Sequence, residues 1–218
     1  MIVLKAWEEI WKKEEEHALW LEPDPFVIAL VPLFHKEGIV KILDIGFGLG
    51  RHAILLTNER FDVYGIETSL TGLEYAIKWS KKEEMALKLI IGEMAHLPFN
   101  DSSFDLIVTW NVLYHGTTNY IQKTIKEIER CLRMDGYLLC TLISTKHTKY
   151  DLGEEIERNT FVIAEENEKS HPHHYFSLKE IDEFFHEFIL LKCVDLEQYN
   201  AGCFHWHVLA KLTSNYKE

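Results

Sequence analysis

The sequence predicts an α/β fold: a seven-stranded, mostly parallel sheet whose last strand is antiparallel, with a helical cap at the N-terminus. Between residues 39 and 144, short apolar runs alternate with amphipathic stretches, which is typical of a parallel sheet covered by helices on both faces. Two later apolar runs are separated only by residues 199–202. So short a connection permits only an antiparallel pair, which accounts for the reversed last strand.

The chain is expected to form one domain, since 218 residues suit an α/β domain with a helical extension. Its expected parts are a helical cap (1–36), a core (37–144), an insertion or lid (145–176), and a closing helix with a strand pair (177–218). In the cap, Trp7, Ile10 and Trp11 recur on one face of a helix predicted over 7–21. A proline-containing break precedes a second helix, predicted over 26–34.

The later elements are predicted in order along the chain. Core strands are expected at 39–45, 62–67, 87–91, 104–110 and 137–144, and core helices at 51–58, 70–84 and 118–132. Residues 150–170 are polar and rich in glutamate, which indicates the lid. Ser177 and Glu180 have the spacing of a helix capping box. The closing strands are expected at 189–196 and 205–212.

The composition bears on partners and location. The net charge is −12, and Lys and Arg are interspersed with Glu, whereas nucleic-acid enzymes generally need a basic surface. No run approaches the ~18 apolar residues of a membrane span, and the first residues do not resemble a signal peptide. The four cysteines, at 131, 140, 193 and 203, form no C-x-x-C pair. We expect no nucleic-acid or membrane partner, reduced thiols rather than disulfides, and a cytoplasmic location.

A glycine-rich stretch directly follows the first predicted strand and comprises Asp44, Gly46, Gly48, Gly50 and Arg51. The dinucleotide fingerprint G-x-G-x-x-G would need its third glycine at position 51, where the chain has arginine. The carboxylate of Asp44 would repel a pyrophosphate, but it suits a ligand with an ammonium and a sulfonium group. The stretch therefore favours S-adenosylmethionine over a dinucleotide; another nucleotide or a plain tight turn are the alternatives.

Glu67 ends the second predicted strand, 19 residues after Gly48. A carboxylate at about this separation can accept hydrogen bonds from ribose hydroxyls. The alternative is an exposed acid at the end of a strand, with no ligand.

Five segments together resemble the motifs of class I S-adenosylmethionine-dependent methyltransferases. They are residues 40–50, 63–69, 92–99, 104–108 and 127–136. The resemblance is closest to the methyltransferase type 11 group, which includes ubiquinone-biosynthesis and tellurite-resistance methyltransferases. It implies a Rossmann-like fold in which residues 37–144 are the cofactor-binding core.

The resemblance also implies the contacts of the cofactor. Glu93 is expected near the exocyclic amine of the adenine, Met94 beside the ring, and Asn111 near the methionine end. The expected cofactor-binding residues are Asp44, Gly46, Gly48, Gly50, Arg51, Glu67, Thr68, Glu93, Met94 and Asn111. Glu67 and Glu93 stand where the family more often has aspartate, and both keep the charge.

The residues that contact the methyl acceptor are harder to predict, because methyl transfer mainly requires alignment of the acceptor and exclusion of water. Tyr114 and His115 follow the fourth core strand, where this family places substrate-facing residues. They are the candidate catalytic residues, as a base or a substrate contact, with positioning or packing as the alternative. The candidate substrate contacts are Trp7 and Trp11 in the cap and His174 and Tyr175 in the lid, with packing as the alternative.

No metal site is expected. Histidines cluster at 171, 173 and 174 and alternate at 205 and 207, but no cysteine pair accompanies them. The expected function is methyl transfer from S-adenosylmethionine to a small-molecule acceptor. A protein or RNA methyltransferase and a non-catalytic cofactor-binding partner subunit are the alternatives.

Overall fold

The computed structural model describes residues 2–13, 17, 18, 20–166 and 170–213. The helices are α1 (Ile2–Trp11), α2 (Pro25–Lys36), α3 (Arg51–Asn58), α4 (Leu70–Lys82), α5 (Thr118–Cys131) and α6 (Leu178–Phe184). The strands are β1 (Lys41–Ile45), β2 (Asp62–Glu67), β3 (Lys88–Ile91), β4 (Phe104–Thr109), β5 (Leu132–Ile143), β6 (Glu154–Glu157), β7 (Thr160–Val162), β8 (His173–His174), β9 (Phe188–Glu197) and β10 (Phe204–Leu212).

The predicted fold class is confirmed. Seven strands form one sheet in the order β3-β2-β1-β4-β5-β10-β9. β10 is antiparallel to both of its neighbours, β5 and β9, and the pairs from β3 to β5 are all parallel. The connections return the chain to the same end of the sheet, so the carboxyl ends of β1, β2, β3 and β4 lie together.

Both faces of the sheet are buried, which explains the continuous apolar runs of its central strands. Side chains alternate along a strand, so Ile42 of β1 packs among residues of α2 and α3. Leu43, its neighbour, packs on the other face against Ile121, Ile125 and Ile128 of α5. Those three isoleucines lie on one face of their helix and are almost fully buried.

Caps mark where several helices begin, and one of them was predicted. Ser177 Oγ accepts a hydrogen bond from the Glu180 amide (3.3 Å), while the Ser177 amide donates to Glu180 Oε2 (3.0 Å). The capping box is therefore present, and α6 starts at the following residue. Ser69 caps α4 in a similar way, because its Oγ accepts from the Gly72 amide.

Three segments differ from the expected elements. α1 ends at Trp11, well before residue 21, and the Trp11 carbonyl lies 2.9 Å from Nε2 of the His17 ring. The expected helix also covers residues 14–16 and 19, which lie outside the described residues. β5 begins at Leu132, five residues early. The lid contains a small antiparallel sheet of β6, β7 and β8 that composition did not indicate.

Among the described residues, no helix combines the length and the apolar character needed to cross a membrane.

Candidate active site

A cavity of about 310 Å³ lies at the carboxyl ends of β1 to β4, beneath the N-terminal cap. Twelve of the predicted site residues line it: Trp7, Trp11, Asp44, Gly46, Gly48, Arg51, Glu67, Thr68, Glu93, Met94, Asn111 and His115. Four predicted residues do not belong to its wall: Gly50, Tyr114, His174 and Tyr175. Sequence reasoning missed other wall residues, among them Val112, Thr117, Tyr120 and Pro172.

The glycine loop after β1 is close-packed, which explains its composition. Gly46 and Gly48 have φ angles of +68° and +57°, a region that side chains rarely adopt. A Cβ at Gly46 would lie 2.5 Å from a methyl carbon of Val112, and one at Gly48 would lie 3.0 Å from the Trp11 ring. Gly50 points away from the cavity, and its missing side chain leaves room for Ala76 of α4.

Asp44 is a buried carboxylic acid at the end of β1, beside the loop. Burial raises the pKa of Asp44 to about 8; the charge of Arg51 opposes this rise, and that of Glu67 adds to it. Within the described part of the chain, its Oδ2 atom has no hydrogen-bond partner. A cation bound in the cavity would therefore meet an acceptor that the protein leaves available.

Glu67, at the end of β2, is buried and not an exposed strand-end acid, so that alternative is excluded. Its Oε2 accepts from the Gly48 amide at 2.8 Å, which ties the glycine loop to β2. Its Oε1 accepts from the amides of Thr68 (2.7 Å) and Ser69 (2.9 Å) and from the Thr68 hydroxyl (3.1 Å). The carboxylate thus organises the loop; its contact with a ribose stays a prediction.

Glu93 and Met94, two further candidate cofactor-binding residues, follow β3. Met94 is buried and Glu93 is half-buried, and both line the cavity. Burial raises the pKa of the nearby Tyr120, and the charge of Glu93 adds to that rise. The structure therefore brings together the residues predicted for the adenine, while the assignment to adenine itself stays a prediction.

Asn111 and Arg51 are both linked to the distant turn between β9 and β10. Asn111 has a φ angle of +61° and is held by Thr141, whose Oγ1 accepts from the Asn111 amide at 2.7 Å. Its side-chain amide donates to the hydroxyl of Tyr199 (3.2 Å). The guanidinium of Arg51 donates to the same hydroxyl (2.7 Å). Tyr199 is a residue that sequence reasoning did not single out.

The cap closes the cavity from above with tryptophan rings. The ring centroids of Trp7 and Trp11 are 5.2 Å apart, and those of Trp11 and Trp20 are 5.7 Å apart. Glu8 fixes α1 to the start of α4, since its carboxylate accepts from the hydroxyls of Ser69 and Thr71, both at 2.6 Å. The candidate substrate residues of the cap therefore do lie at the cavity.

His115 lies in the cavity wall and is 2% exposed. Its Nε2 is 3.0 Å from the Asn111 carbonyl, and its Nδ1 is 2.9 Å from Nε2 of His171 in the lid. Tyr114 is also buried, but its ring packs behind the wall, with its centroid 4.5 Å from that of His115. The structure thus separates the two candidate catalytic residues, and only His115 reaches the cavity.

The lid reaches this wall through different residues from those expected. His174 Nδ1 lies 2.8 Å from the Thr160 hydroxyl, and Tyr175 packs among aromatic rings of the lid. Successive side chains of a strand point to opposite faces, so in β8 His174 faces α6 while His173 faces His115. Among the described residues of the lid, Pro172 lines the cavity. The structure gives no support to substrate contacts by His174 and Tyr175.

Known proteins resemble this chain both in sequence and in fold. A family model described as a methyltransferase domain matches residues 43–140. An uncharacterized protein of Methanocaldococcus jannaschii is 30% identical over 115 residues, which are 53% of this chain and 46% of that protein. A demethylmenaquinone methyltransferase of Thermotoga maritima is 30% identical over 129 residues, 57% of this chain and 53% of that enzyme. The chain thus spans about half the length of these relatives.

A solved structure, a methyltransferase of Methanosarcina mazei described as dependent on S-adenosylmethionine, has the same fold. Its TM-score is 0.75 at 20% identity, and the match covers 89% of this chain and 100% of that one. The motifs, the family match and the fold agree. Residues 43–140 therefore match a methyltransferase domain, and the chain shares the fold of a methyltransferase that is described as dependent on S-adenosylmethionine.

Proposed function

We propose that this chain transfers a methyl group from S-adenosylmethionine to a small-molecule acceptor. The observation that carries the proposal is the buried carboxylate of Asp44, which lies beside the glycine loop with an oxygen available to a cationic ligand. A dinucleotide would bring a pyrophosphate to this position, where the anionic form of Asp44 would repel it.

The residues of the cavity fit S-adenosylmethionine. Asp44 would hold the ammonium of its methionine part, beside Gly46 and Gly48, which line the same cavity. Glu93 and Met94 would hold the adenine at the end of β3. When bound, the cofactor supplies a methyl group already activated by its positive sulfur.

Catalysis then requires alignment and a dry site. The residues of the cavity would have to hold a lone pair of the acceptor in line with that methyl group. Trp7 and Trp11 exclude water from above, and Asn111 and His115 form the wall beside the acceptor. His115 is the candidate base for an acceptor that must lose a proton.

Two observations support a small acceptor. Trp7 and Trp11 of the cap and Pro172 of the lid line the cavity, which restricts the approach of a folded macromolecule. The net charge of −12 disfavours RNA. The demethylmenaquinone methyltransferase among the relatives is consistent with the same class of acceptor.

Calorimetric titration tests the cofactor. We expect the protein to bind S-adenosylmethionine and S-adenosylhomocysteine but not NAD. Tight NAD binding without a response to either sulfur compound would overturn the proposal. Turnover is then tested by incubation with a fractionated metabolite extract. Release of S-adenosylhomocysteine supports an enzyme, whereas cofactor binding without release from any fraction favours the non-catalytic subunit.

A further inference from the structure

Three buried histidines converge where the lid meets the wall of the cavity. His115 follows β4, and His171 and His173 belong to the lid; they are 2%, 0% and 0% exposed. Backbone contacts hold the two segments together, since His115 and His173 form an isolated antiparallel bridge and the Gly116 amide donates to the Pro172 carbonyl at 2.8 Å. The convergence is therefore set by main-chain pairing and not by flexible side chains alone.

The nitrogen atoms of the three rings have the spacing of metal ligands. One nitrogen from each ring can be chosen so that all three lie within 4.8 Å of one another. Nδ1 of His115 and Nε2 of His171 are 2.9 Å apart. Nitrogens bound to a tetrahedral zinc ion at about 2.0–2.1 Å are separated by about 3.3 Å, so the His115 and His171 nitrogens would move apart by only a few tenths of an ångström.

The second nitrogen of two rings is directed to a backbone carbonyl. His115 Nε2 is 3.0 Å from the Asn111 oxygen, and His173 Nδ1 is 2.8 Å from the His171 oxygen. A carbonyl only accepts hydrogen bonds, so each of these nitrogens carries the proton of the neutral ring. The opposite nitrogens, Nδ1 of His115 and Nε2 of His173, are then unprotonated. Metal-binding histidines are commonly oriented by such outer hydrogen bonds.

We propose that His115, His171 and His173 bind a zinc ion directly behind the part of the cavity wall that His115 forms, and that an ionisable hydroxyl or thiol of the methyl acceptor reaches it from the cavity as the fourth ligand. The zinc site does not depend on the proposed function, whereas the acceptor as fourth ligand rests on the proposed methyl transfer. Three neutral imidazoles favour zinc or a similar transition metal over Mg²⁺ and Ca²⁺, which prefer oxygen. A zinc site with three protein ligands keeps one position open.

A zinc ion at this site would make the acceptor a better nucleophile toward the activated methyl group. Zinc lowers the pKa of a bound hydroxyl or thiol, whose proton is released to solvent as the group binds. His171 shifts its own proton from Nε2 to Nδ1, so that Nε2 becomes a ligand. The acceptor would then be presented as an anion or a metal-bound nucleophile, and no strong protein base would be required.

Zinc binding is tested with the purified full-length chain after dialysis against a chelator. Titration with ZnCl₂ in the calorimeter should give one ion per chain, and Co²⁺ should give the strong visible absorption of a four-coordinate site. His171→Ala and His173→Ala should each weaken zinc binding at least tenfold. His186→Ala, which removes an exposed histidine outside the cluster, should leave it unchanged. Equal affinity in all variants would overturn the site.

Folding of the variants is checked by their titration with S-adenosylhomocysteine. If the alanine variants do not fold, the wild-type protein decides: absence of a stoichiometric zinc and of the Co²⁺ spectrum overturns the site. The acceptor ligand is tested separately by turnover before and after chelation. Loss of turnover with cofactor binding intact, restored by ZnCl₂, supports it; undiminished turnover in the zinc-free protein overturns it and leaves methyl transfer standing.

Discussion

At one end of the cavity, the side chains come from a single continuous stretch; at the other, they come from segments far apart. The glycine-loop end, defined as residues 44–67, is one strand, one loop, one helix and the next strand. The histidine end, defined as Trp7, His115 and residues 171–173, joins the cap, the loop after β4 and the lid. The glycine-loop end can be predicted from sequence because its residues are close together along the chain. The histidine end forms only when distant segments pack together.

The largest expected effect lies at the glycine-loop end. Gly46→Ala should weaken binding of S-adenosylmethionine by roughly 3 kcal/mol, about a hundredfold, because its Cβ meets Val112 in a strained backbone region. Calorimetry measures the affinity, and thermal unfolding measures the stability.

Gly38→Ala is the matched control for this change. Gly38 has nearly the same φ angle, +69°, but nothing lies within 4 Å of its missing Cβ. It should cost only about 1 kcal/mol of stability and leave cofactor binding unchanged. Equal effects of the two variants would show that strain, and not the collision in the loop, determines the result.

Glu67→Ala is expected to have the next largest effect, roughly 2–3 kcal/mol of cofactor binding. Because four donors converge on this carboxylate, we also expect a lower free energy of unfolding. Denaturant unfolding and calorimetry are measured side by side, with the exposed Glu83→Ala as control. Full stability with weakened binding would assign Glu67 to the ligand alone and not to the loop.

Asp44→Asn should weaken cofactor binding by about 2 kcal/mol at pH 8 and abolish its pH dependence. In the free protein, the pKa of Asp44 is raised to about 8, so binding of a cation at pH 7 must release a proton. The wild-type affinity should therefore rise between pH 6 and 8, and then level off. Calorimetry in buffers of different ionisation enthalpy counts the proton.

The same pKa shift predicts the stability of the unliganded chain. The folded state holds the Asp44 proton up to about pH 8, whereas the unfolded state loses it near its ordinary pKa. The folded state therefore binds more protons between these values, and its stability should fall as the pH rises through this window. This contribution should be missing in Asp44→Asn; identical pH profiles of the two proteins would contradict it.

The smallest effect is expected where the cap is attached. Glu8→Ala removes the acceptor of hydrogen bonds from Ser69 and Thr71 and should cost about 1 kcal/mol of stability. Hydrogen exchange should become faster in α1, and turnover should decrease because water enters the cavity. Glu9→Ala is the control, since Glu9 is exposed and pairs only with Lys12 among the described contacts. Unchanged exchange in α1 would mean that the tryptophan rings alone hold the cap.

Much of the fold could be predicted because the sequence pattern of each helix or strand lies within that element. The bounds of α3 and β2 agree with the apolar pattern, and the capping box located α6. The histidine end could not be predicted in the same way. The strand β8 has only two residues, so nothing in its sequence showed which of His173 and His174 would face the cavity. The pairing of β8 with the loop at His115 determines it.

Tyr199 has a consequence for the order in which the site is completed during synthesis. Its hydroxyl receives hydrogen bonds from Arg51 and Asn111, which precede it in the chain by 148 and 88 residues. A nascent chain that has emerged only through β5 contains every family motif, yet it lacks the group that joins these two residues. Tyr199 is therefore synthesised after the sheet order from β3 to β5 can already form, and Arg51 and Asn111 are joined only once the β9–β10 hairpin has docked.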